Sequence, residues 1–302
     1  MIFFKKILFV LILFNSLIIY SQPYSSSSWS LYRHELVFGS GISSYSGDLG
    51  NSIEVGLAMP LIHIGFRSKL VERIAVKFNG NFTYLIGDDA KFNNLRNLSF
   101  RSSLIEISAQ LEFSLIKDKL KKMSAFEARQ GFINNFNLYL FVGIGGFRFN
   151  PQAKIENEKG NTTWLDLQPL GTEGQGIGRN PDKYDLIEFC FPFGIGVKTS
   201  LTQTIAFEID FGFRYTTTDY LDDVSDMYFD NGKIERSYGK IAANLADRHI
   251  DENGELSDEK YLSMTKRGGY ENNDNYFFIN ISAVYRIKTA NRAGRAKKRR
   301  RF

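Results

Sequence analysis

Acidic residues cluster between positions 219 and 230 and are the first candidates for chemistry. The run contains five aspartates, Asp219, Asp222, Asp223, Asp226 and Asp230. Clustered carboxylates on a loop can bind Ca²⁺, but this spacing does not match an EF-hand loop, and no glycine follows at the turn position. Because apolar residues are interleaved with the aspartates, we expect a packed structural loop. A divalent cation held by Asp219, Asp222, Asp223 and Asp226 is the alternative.

Basic residues in two segments could bind a partner of opposite charge. One segment is the C-terminal tail, residues 289–302, which supplies much of the net charge of +5, and the other is Lys117–Asn135. The charge carriers are Lys119, Lys121, Lys122, Arg295, Lys297, Lys298, Arg299 and Arg300. Such a block can bind nucleic acid, but the export signal described below argues against that partner. We expect the tail beside anionic lipid headgroups or an acidic protein face; a disordered, solvated tail is the alternative.

Histidine, cysteine and glycine-rich motifs give no catalytic constellation. His34, His63 and His249 are far apart in the sequence, and we expect each to be hydrogen-bonded or exposed. Cys190, the only cysteine, has no histidine or aspartate motif beside it and is expected to be a buried structural thiol. The stretch LGTEGQG from Leu170 lacks the Lys-Ser/Thr of a phosphate loop, so we expect a flexible loop there. No cofactor and no small-molecule substrate are expected.

The elements that must position these residues are strands, best seen between Leu186 and Tyr215. In this stretch the odd positions are apolar, while the even positions carry charged or small residues, and a tight turn separates two runs. Strands place successive side chains on opposite faces. Both runs exceed the usual soluble strand of about 5–6 residues and reach the about 9–11 residues that a tilted strand needs to cross a bilayer. The stretch therefore predicts a hairpin in the wall of a transmembrane barrel.

Six further runs show the same alternation and bring the predicted strands to eight. They are Tyr32–Tyr45, Pro60–Ser68, Ile74–Ile86, Ile105–Leu115, Leu138–Asn150 and Phe277–Arg286. An even number puts both termini on one side of the membrane. The connections alternate between short turns, with Lys117–Asn135 as a longer exception, and long loops. We therefore predict an all-β fold, an eight-stranded antiparallel transmembrane β-barrel of the outer membrane with long extracellular loops.

Charged residues on the inward faces predict a filled lumen. They are Glu35, Lys77, Glu106, Glu112, Glu188, Lys198, Glu208, Asp210, Arg214 and Arg286. Because eight strands leave room only for side chains, we expect ion pairs and hydrogen bonds instead of an open pore. The alternatives are a secreted lipocalin-like barrel with apolar residues inside, and an outer-membrane enzyme of the protease or acyltransferase type, which needs a histidine with a carboxylate or serine near the rim.

The two ends of the chain lie outside the predicted barrel. Residues 1–22 have two lysines followed by a short apolar run and a small residue, which is typical of a cleaved secretory signal peptide. Residues 23–288 form the predicted barrel, and residues 289–302 form the basic tail. The mature chain is thus expected to leave the cytoplasm and to contact outer-membrane lipid.

Several loop motifs, taken together and in order, resemble the PorG-type family of outer-membrane barrels, a component of the type IX secretion system. The resemblance extends from about the first strand to the last. The motifs are SYSGDL at Ser44–Leu49, RNLSFRSSLIE at Arg96–Glu106, GGFRFNPQA at Gly145–Ala153, LQPLGTEGQG at Leu167–Gly176, RYTTTDYLDDVSDMY at Arg214–Tyr228, RGG at Arg267–Gly269 and DNY at Asp274–Tyr276.

This resemblance implies a non-enzymatic part of a secretion machine. Proteins of this family associate with a periplasmic ring of PorK-type and PorN-type proteins, and the machine supports gliding motility where that is present. We expect the barrel to anchor or stabilise such a ring at the outer membrane, with Lys117–Asn135 and the basic tail as contact segments.

Overall fold

The structure is a computed structural model. It describes residues 31–50, 57–92, 95–116, 136–156, 162–179, 182–250, 257, 264–269 and 272–289. The predicted signal peptide, the segment 117–135 and the tail beyond residue 289 lie outside the described residues. All eight basic residues predicted to contact a partner fall in those segments, so their placement stays a prediction.

Strands dominate the described part of the chain. The elements are β1 (His34–Ser46), β2 (Met59–Lys69), β3 (Ile74–Asp88), β4 (Ser99–Ser114), β5 (Phe136–Glu156), β6 (Thr162–Asp166), β7 (Ile187–Ser200), β8 (Ile205–Thr216), α1 (Asn231–Tyr238), α2 (Lys240–Ala246) and β9 (Asn275–Ile287). Short 3-10 turns follow β3 and β6. No helix in the described residues is long and apolar enough to cross a membrane.

Eight of these strands close into an antiparallel barrel. Each pairs with its neighbours in the order β1-β2-β3-β4-β5-β7-β8-β9, and β9 pairs back with β1. β6 is outside the barrel and forms a short hairpin with the end of β5. At one mouth, which we call the turn end, the backbone N–H of Thr289 donates to the carbonyl of Leu31 at 2.8 Å. Both ends of the barrel therefore leave from this mouth, and the predicted eight-stranded barrel is confirmed.

The outer face of the barrel is apolar and exposed. Ile107 is 72% exposed and Ile187 is 69% exposed. Exposed apolar side chains, mostly leucine, valine, isoleucine and phenylalanine, lie on the outward face of all eight barrel strands. Soluble proteins rarely expose apolar patches larger than a few hundred Å², whereas a barrel in lipid requires such a band. The chain is therefore an outer-membrane β-barrel, and the lipocalin-like alternative, with its apolar residues inside, is wrong.

The lower half of the lumen, near the turn end, is filled by an ion-pair network centred on Arg67. Its guanidinium contacts the carboxylates of Glu35 at 2.8 Å, Glu112 at 2.6 Å and Glu208 at 2.7 Å. The outer members of the network are Lys69, Lys77, Lys198, Asp210 and Arg286. A buried charge is tolerated only with such partners. The predicted filled lumen is confirmed, although Glu188 lies at the rim and bonds Thr217 instead.

The upper half of the lumen changes from ion pairs to aromatic packing. The Arg214 guanidinium contacts Glu106 at 3.2 Å and stacks 4.1 Å from the ring centre of Phe278. Above it, Phe147 meets the ring of Tyr276 edge-on at 5.7 Å. Inward glycines make room for other rings, since a Cβ on Gly194 would lie 2.6 Å from the Phe141 ring and 2.0 Å from the carbonyl oxygen of Phe211. Aromatic rings thus occupy the upper lumen above the ion-pair network.

Candidate functional site: a loop cap over the barrel

Four connections at the mouth opposite the turn end fold over the barrel and form what we call the cap. Its centre is the β8–β9 connection, which carries α1 and α2 and inserts Leu221 and Val224 toward the lumen. Both side chains are fully buried in one apolar cluster with Phe100, Phe149 and Phe278. The connection is therefore a plug with a hydrophobic anchor, and its charged residues are positioned by that packing.

Tyr45, at the upper end of β1, ties the β8–β9 connection to the barrel wall. Its hydroxyl oxygen lies 2.6 Å from Oδ2 of Asp222 and 2.7 Å from Oδ1 of Asp274. The other carboxylate oxygens accept backbone N–H groups, from Val224 to Asp222 and from Leu221 to Asp274, each at 2.9 Å. The aspartates thus fix the backbone on both sides of the apolar anchor.

Arg267 holds the second layer of the cap together. Its Nη1 donates to Glu173 at 2.8 Å and to the carbonyl of Asp223 at 2.7 Å, and the side chain is 3% exposed. Glu173 also accepts the backbone N–H of Ser225 at 3.0 Å. Asp223 accepts the hydroxyls of Thr172 and Tyr184. The β8–β9 connection and the connection before β7 therefore meet at one charged centre, in which each carboxylate accepts several hydrogen bonds.

Arg96 joins the remaining connections. Its guanidinium binds Asp89 at 2.7 and 2.8 Å and donates to the backbone carbonyls of Asp48 and Arg267. The Asp48 side chain in turn accepts the backbone N–H of Gly269 at 2.7 Å. These hydrogen bonds between charged side chains and the backbone hold the β1–β2, β3–β4 and β8–β9 connections together without regular secondary structure.

The acidic run lies within the cap, and its carboxyls face in different directions. Asp222 bonds Tyr45, Asp223 bonds Thr172 and Tyr184, and Asp230 caps α1 by accepting the N–H of Lys233. No group of three or more His, Cys, Asp or Glu side chains in the described residues has an arrangement that could hold a metal ion. Asp222 and Asp223 are thus used for hydrogen bonds, both side-chain oxygens of Asp219 are buried without a hydrogen-bond partner among the described residues, and the packed loop is the observed structure.

Burial changes the acidity of several cap carboxyls. It raises the pKa of Asp219 to about 7, with further contributions from the negative charges of Asp48 and Glu173. Burial also raises the pKa of Asp223 to about 6, although Arg267 acts in the opposite direction. The pKa values of Asp222 and Asp274 lie well above the usual range, chiefly through burial. The cap is therefore the region of the described chain where protonation and structure are coupled at ordinary pH.

The three histidines and Cys190 lie among packed or hydrogen-bonded side chains. His63 lies in the lumen with Nδ1 2.8 Å from Oδ1 of Asn81, His34 stacks on Phe66, and Cys190 is buried in the upper lumen. Nδ1 of His249 lies 2.8 Å from Oδ1 of Asp247, which also accepts the backbone N–H of His249, so this pair forms a local turn. The expected hydrogen bonds of His63 and His249 and the buried thiol are confirmed, whereas His34 is partly buried and its Nδ1 has no hydrogen-bond partner in the described part of the chain.

The glycine-rich stretch is not the flexible loop that its composition predicts. Thr172 and Glu173 are buried in the cap and make the contacts described above. Gly171, Gly174 and Gly176 adopt positive φ angles of 53°, 78° and 75°, which side chains with a Cβ rarely tolerate. The prediction was wrong because glycine here serves a tightly turned, packed segment instead of a mobile one.

Sequence reasoning missed the residues that organise the cap, namely Tyr45, Arg96, Glu173 and Arg267. A signal for them was nevertheless present, because each lies in one of the motifs that resemble the PorG-type family. The structure joins those motifs: SYSGDL meets DNY through Tyr45, RNLSFRSSLIE meets RGG through Arg96, and LQPLGTEGQG meets RGG through Glu173. The third motif, GGFRFNPQA, places Phe147 against Tyr276.

The turn end is built differently. Arg33 donates to the backbone carbonyls of Lys69 and Leu70, and Arg73 donates to those of Ser114 and Leu115. A small recess at this mouth is lined by charged residues of both signs, including Lys69, Lys198, Glu72 and Glu112. The segment 117–135 and the tail leave from this end.

Comparisons with known proteins give fold neighbours alone. No protein-family model matches the sequence, and no curated protein matches it. Neisserial surface protein A is 9% identical, covers 84% of this chain and 97% of its own, and has a TM-score of 0.38. The attachment invasion locus protein Ail of Yersinia pestis is 9% identical, with 84% and 98% covered and a TM-score of 0.37. A major outer membrane protein of Thermus thermophilus is 9% identical, with 84% and 99% covered and a TM-score of 0.37. At this identity and these TM-scores the similarities transfer no function to the chain.

Proposed function

We propose that this barrel is a non-enzymatic, outer-membrane component of the type IX secretion system that holds a periplasmic ring of PorK-type and PorN-type proteins against the membrane. The observation that carries the proposal is the convergence of all seven family-like motif stretches in the cap and the lumen directly beneath it. These motifs are scattered over more than two hundred positions of the sequence. Their contacts make them one structural unit.

The lumen supports a scaffold role over a transport role. Arg67 and its three carboxylate partners fill the lower half, and the aromatic layer with Leu221 and Val224 fills the upper half. Exported proteins cannot pass such an interior. The barrel therefore acts by position, as an anchor in the membrane, and in this proposal other components provide the export path.

The direction of the barrel supports periplasmic contact through the turn end. Short turns face the periplasm in barrels of this class, and the mouth where Leu31 and Thr289 meet carries the short turns. The segment 117–135 and the tail leave from the same mouth with their eight basic residues. An acidic face on a ring protein is the partner that this charge favours.

Cross-linking in intact cells tests the proposal. A photo-reactive residue is placed at Lys121 or Lys298 on the turn side, and at the exposed Lys233 on the cap as the matched control position. We expect turn-side adducts with the periplasmic ring proteins and no such adducts from Lys233. Absence of ring adducts from both turn-side positions, in cells where the barrel is present in the membrane, would contradict the ring-anchoring role.

Charge reversal in the tail tests whether the tail contributes to binding of the ring. The tail variant carries Lys297→Glu, Lys298→Glu, Arg299→Glu and Arg300→Glu, and the control carries Lys233→Glu and Lys240→Glu on the cap. We expect the tail variant to remain in the outer membrane, but less ring protein should co-purify with it. Native recovery with the tail variant would remove the tail from the contact surface and leave Lys117–Asn135 as the candidate.

A further inference from the structure

We infer that Tyr45, Asp222 and Asp274 form a clasp that closes the cap only while it holds one shared proton. This inference concerns the cap alone and does not depend on the secretion role. It assigns to the loop end of the barrel a closure that acid strengthens and alkali weakens.

The count of hydrogens in the clasp carries the argument. Two carboxyl oxygens lie 2.6 and 2.7 Å from the hydroxyl oxygen of Tyr45, which has a single hydrogen. One carboxylate can accept that hydrogen, but the other needs a hydrogen of its own to bond the same oxygen. The remaining carboxyl oxygens are taken by the N–H groups of Leu221 and Val224. One of the two aspartates is therefore a carboxylic acid in the closed cap.

Burial makes the alternative, two adjacent carboxylates, costly. Asp222 and Asp274 are each 1% exposed, and neither has a salt bridge to a lysine, arginine or histidine in the described residues. The charged groups that face them are Asp48 from the β1–β2 connection, Asp219 from the β8–β9 connection and Arg96 from the β3–β4 connection. Arg96 is engaged by Asp89. Like charges therefore outnumber opposite ones around the clasp.

The backbone of Gly47 packs directly against the clasp. A Cβ at this position would lie 1.7 Å from Oδ1 of Asp274 and 2.1 Å from the hydroxyl oxygen of Tyr45. The Gly47 backbone is thus packed against both oxygens, and Tyr45, Asp222 and Asp274 are buried from water. Exclusion of water strengthens the hydrogen bonds of the protonated form and disfavours the doubly ionised form.

Loss of the proton acts on the plug because the same carboxyls hold its backbone. Leu221 and Val224 are anchored in the apolar cluster, and their N–H groups end on Asp274 and Asp222. In an open cap the carboxyls return to water, where an aspartate ionises with a pKa near its ordinary value of about 3.9. The closed form binds the extra proton, so the ratio of open to closed rises by up to about tenfold per pH unit until the closed form also ionises.

Hydrogen exchange tests the clasp on the full mature chain in phospholipid nanodiscs between pH 7.5 and pH 9, above the pKa of about 7 of Asp219. Protection factors, corrected for the intrinsic exchange rate, are measured at the amides of Leu221 and Val224. We expect the wild-type values to fall by up to about tenfold per pH unit. Asp222→Asn should show a flat profile, because its amide donates to the Tyr45 oxygen without a titratable proton. The matched control Asp230→Asn, on the exposed cap of α1, should keep the wild-type slope.

A flat wild-type profile overturns the inference, and so does an unchanged slope in Asp222→Asn. Should Asp222→Asn fail to fold, Asp274→Asn gives the same comparison from the other side of the clasp. Infrared spectroscopy of the wild type adds a measurement that needs no variant to fold. A carboxylic acid band that persists at pH 8, above the pKa of about 7 of Asp219 and of about 6 of Asp223, supports the clasp, and its absence at pH 6 contradicts it.

Discussion

Arg67 and Glu112 form two parallel hydrogen bonds inside the barrel, from Nε to Oε2 at 2.6 Å and from Nη2 to Oε1 at 3.0 Å. The two residues lie on β2 and β4, which are separated by β3 in the barrel wall. The pair therefore bridges non-adjacent strands through the lumen. Glu35 on β1 and Glu208 on β8 bind the remaining guanidinium donors, so a single side chain connects four strands of the wall.

Replacement of Arg67 by methionine should strongly destabilise the barrel. The substitution leaves Glu35, Glu112 and Glu208 without their common cation, and breaking a buried charge pair typically costs about 3–5 kcal/mol. Urea unfolding in lipid vesicles, followed by the change in electrophoretic mobility of the folded barrel, measures the effect. Arg236→Met on the exposed face of α1 is the matched control, with an expected change within about 0.5 kcal/mol. Equal stabilities of the two variants would contradict the hub role of Arg67.

An arginine that replaces an exposed apolar residue should destabilise the barrel only at a position that lies in lipid. Ile107 is near the middle of β4 and Ile241 is exposed on α2 in the cap. Arginine near the bilayer midplane of a barrel costs about 2–4 kcal/mol, so Ile107→Arg should reduce folding into vesicles, whereas Ile241→Arg should not. The folded fraction at increasing urea measures both. A similar loss in the two variants would argue against a bilayer at the level of Ile107.

Replacing a wall glycine by alanine should cost stability only where another atom lies too close to the new Cβ. A Cβ on Gly194 would lie 2.0 Å from the carbonyl oxygen of Phe211, whereas a Cβ on Gly146 meets its first neighbour at 3.9 Å. Overpacking costs about 1–3 kcal/mol, so Gly194→Ala should lose that much stability while Gly146→Ala stays near wild type. The midpoint of urea unfolding for each variant gives the comparison. A tolerated Gly194→Ala would mean that β7 and β8 separate more easily than their pairing indicates.

Ionisation of Asp219 should loosen the cap as the pH rises. Its pKa in the closed cap is about 7, raised mainly by burial, so the closed cap binds more protons than the open one between about pH 4, the ordinary aspartate value, and pH 7. Stability of the closed cap is thus full in acid and falls through this range. Asp219→Asn should resist added protease better than wild type at pH 8 and equally at pH 4.5.

The control for this experiment is Asp230→Asn, digested under each condition to correct for the protease's own pH dependence. Cleavage sites within Thr217–Asn273, identified by mass spectrometry, show whether the cap or the barrel has opened. Faster digestion of Asp219→Asn at pH 8 would reverse the expected sign and exclude a destabilising charge at this position.

Loss of Arg267 should open the cap without unfolding the barrel. Arg267→Ala removes the donors to Glu173 and to the backbone of Asp223, while the Arg67 network in the lower lumen is untouched. Leaving Glu173 buried beside Asp223 without their cation should cost about 3–5 kcal/mol locally. We expect faster proteolysis of the β8–β9 connection and unchanged mobility of the folded barrel. If the mobility of the folded barrel were lost together with the protease resistance of the β8–β9 connection, the cap and the barrel would unfold as one unit.

Alternation of residue type along the strands was sufficient to predict the barrel. In the hairpin from Ile187 to Thr216, the position of each side chain on the inner or outer face follows from its parity alone, because a strand repeats every two residues. The closed wall, the apolar exterior and the charged lumen then follow from strand count and length. The same parity rule places Arg67 on the inner face of β2, but its place as a hub depends on carboxylates that lie 32, 45 and 141 positions away in the sequence.

The cap could not be predicted in the same way. β6, α1 and α2 were absent from the sequence-based assignment, since short elements in long connections have weak periodicity. The glycine-rich stretch was misjudged because its burial comes from Arg267 and Asp223, both far along the chain. Local composition carries no information about such partners.

By itself, the sequence determined which molecule this is at the level of architecture: an antiparallel barrel with lipid outside and charge within, because alternation and strand length are local properties. Only the tertiary structure decided which of the many acidic and basic side chains meet, and hence that Tyr45 lies between Asp222 and Asp274. Those meetings depend on how four separate connections fold over one mouth, and burial there, not residue type, sets the protonation of each carboxyl.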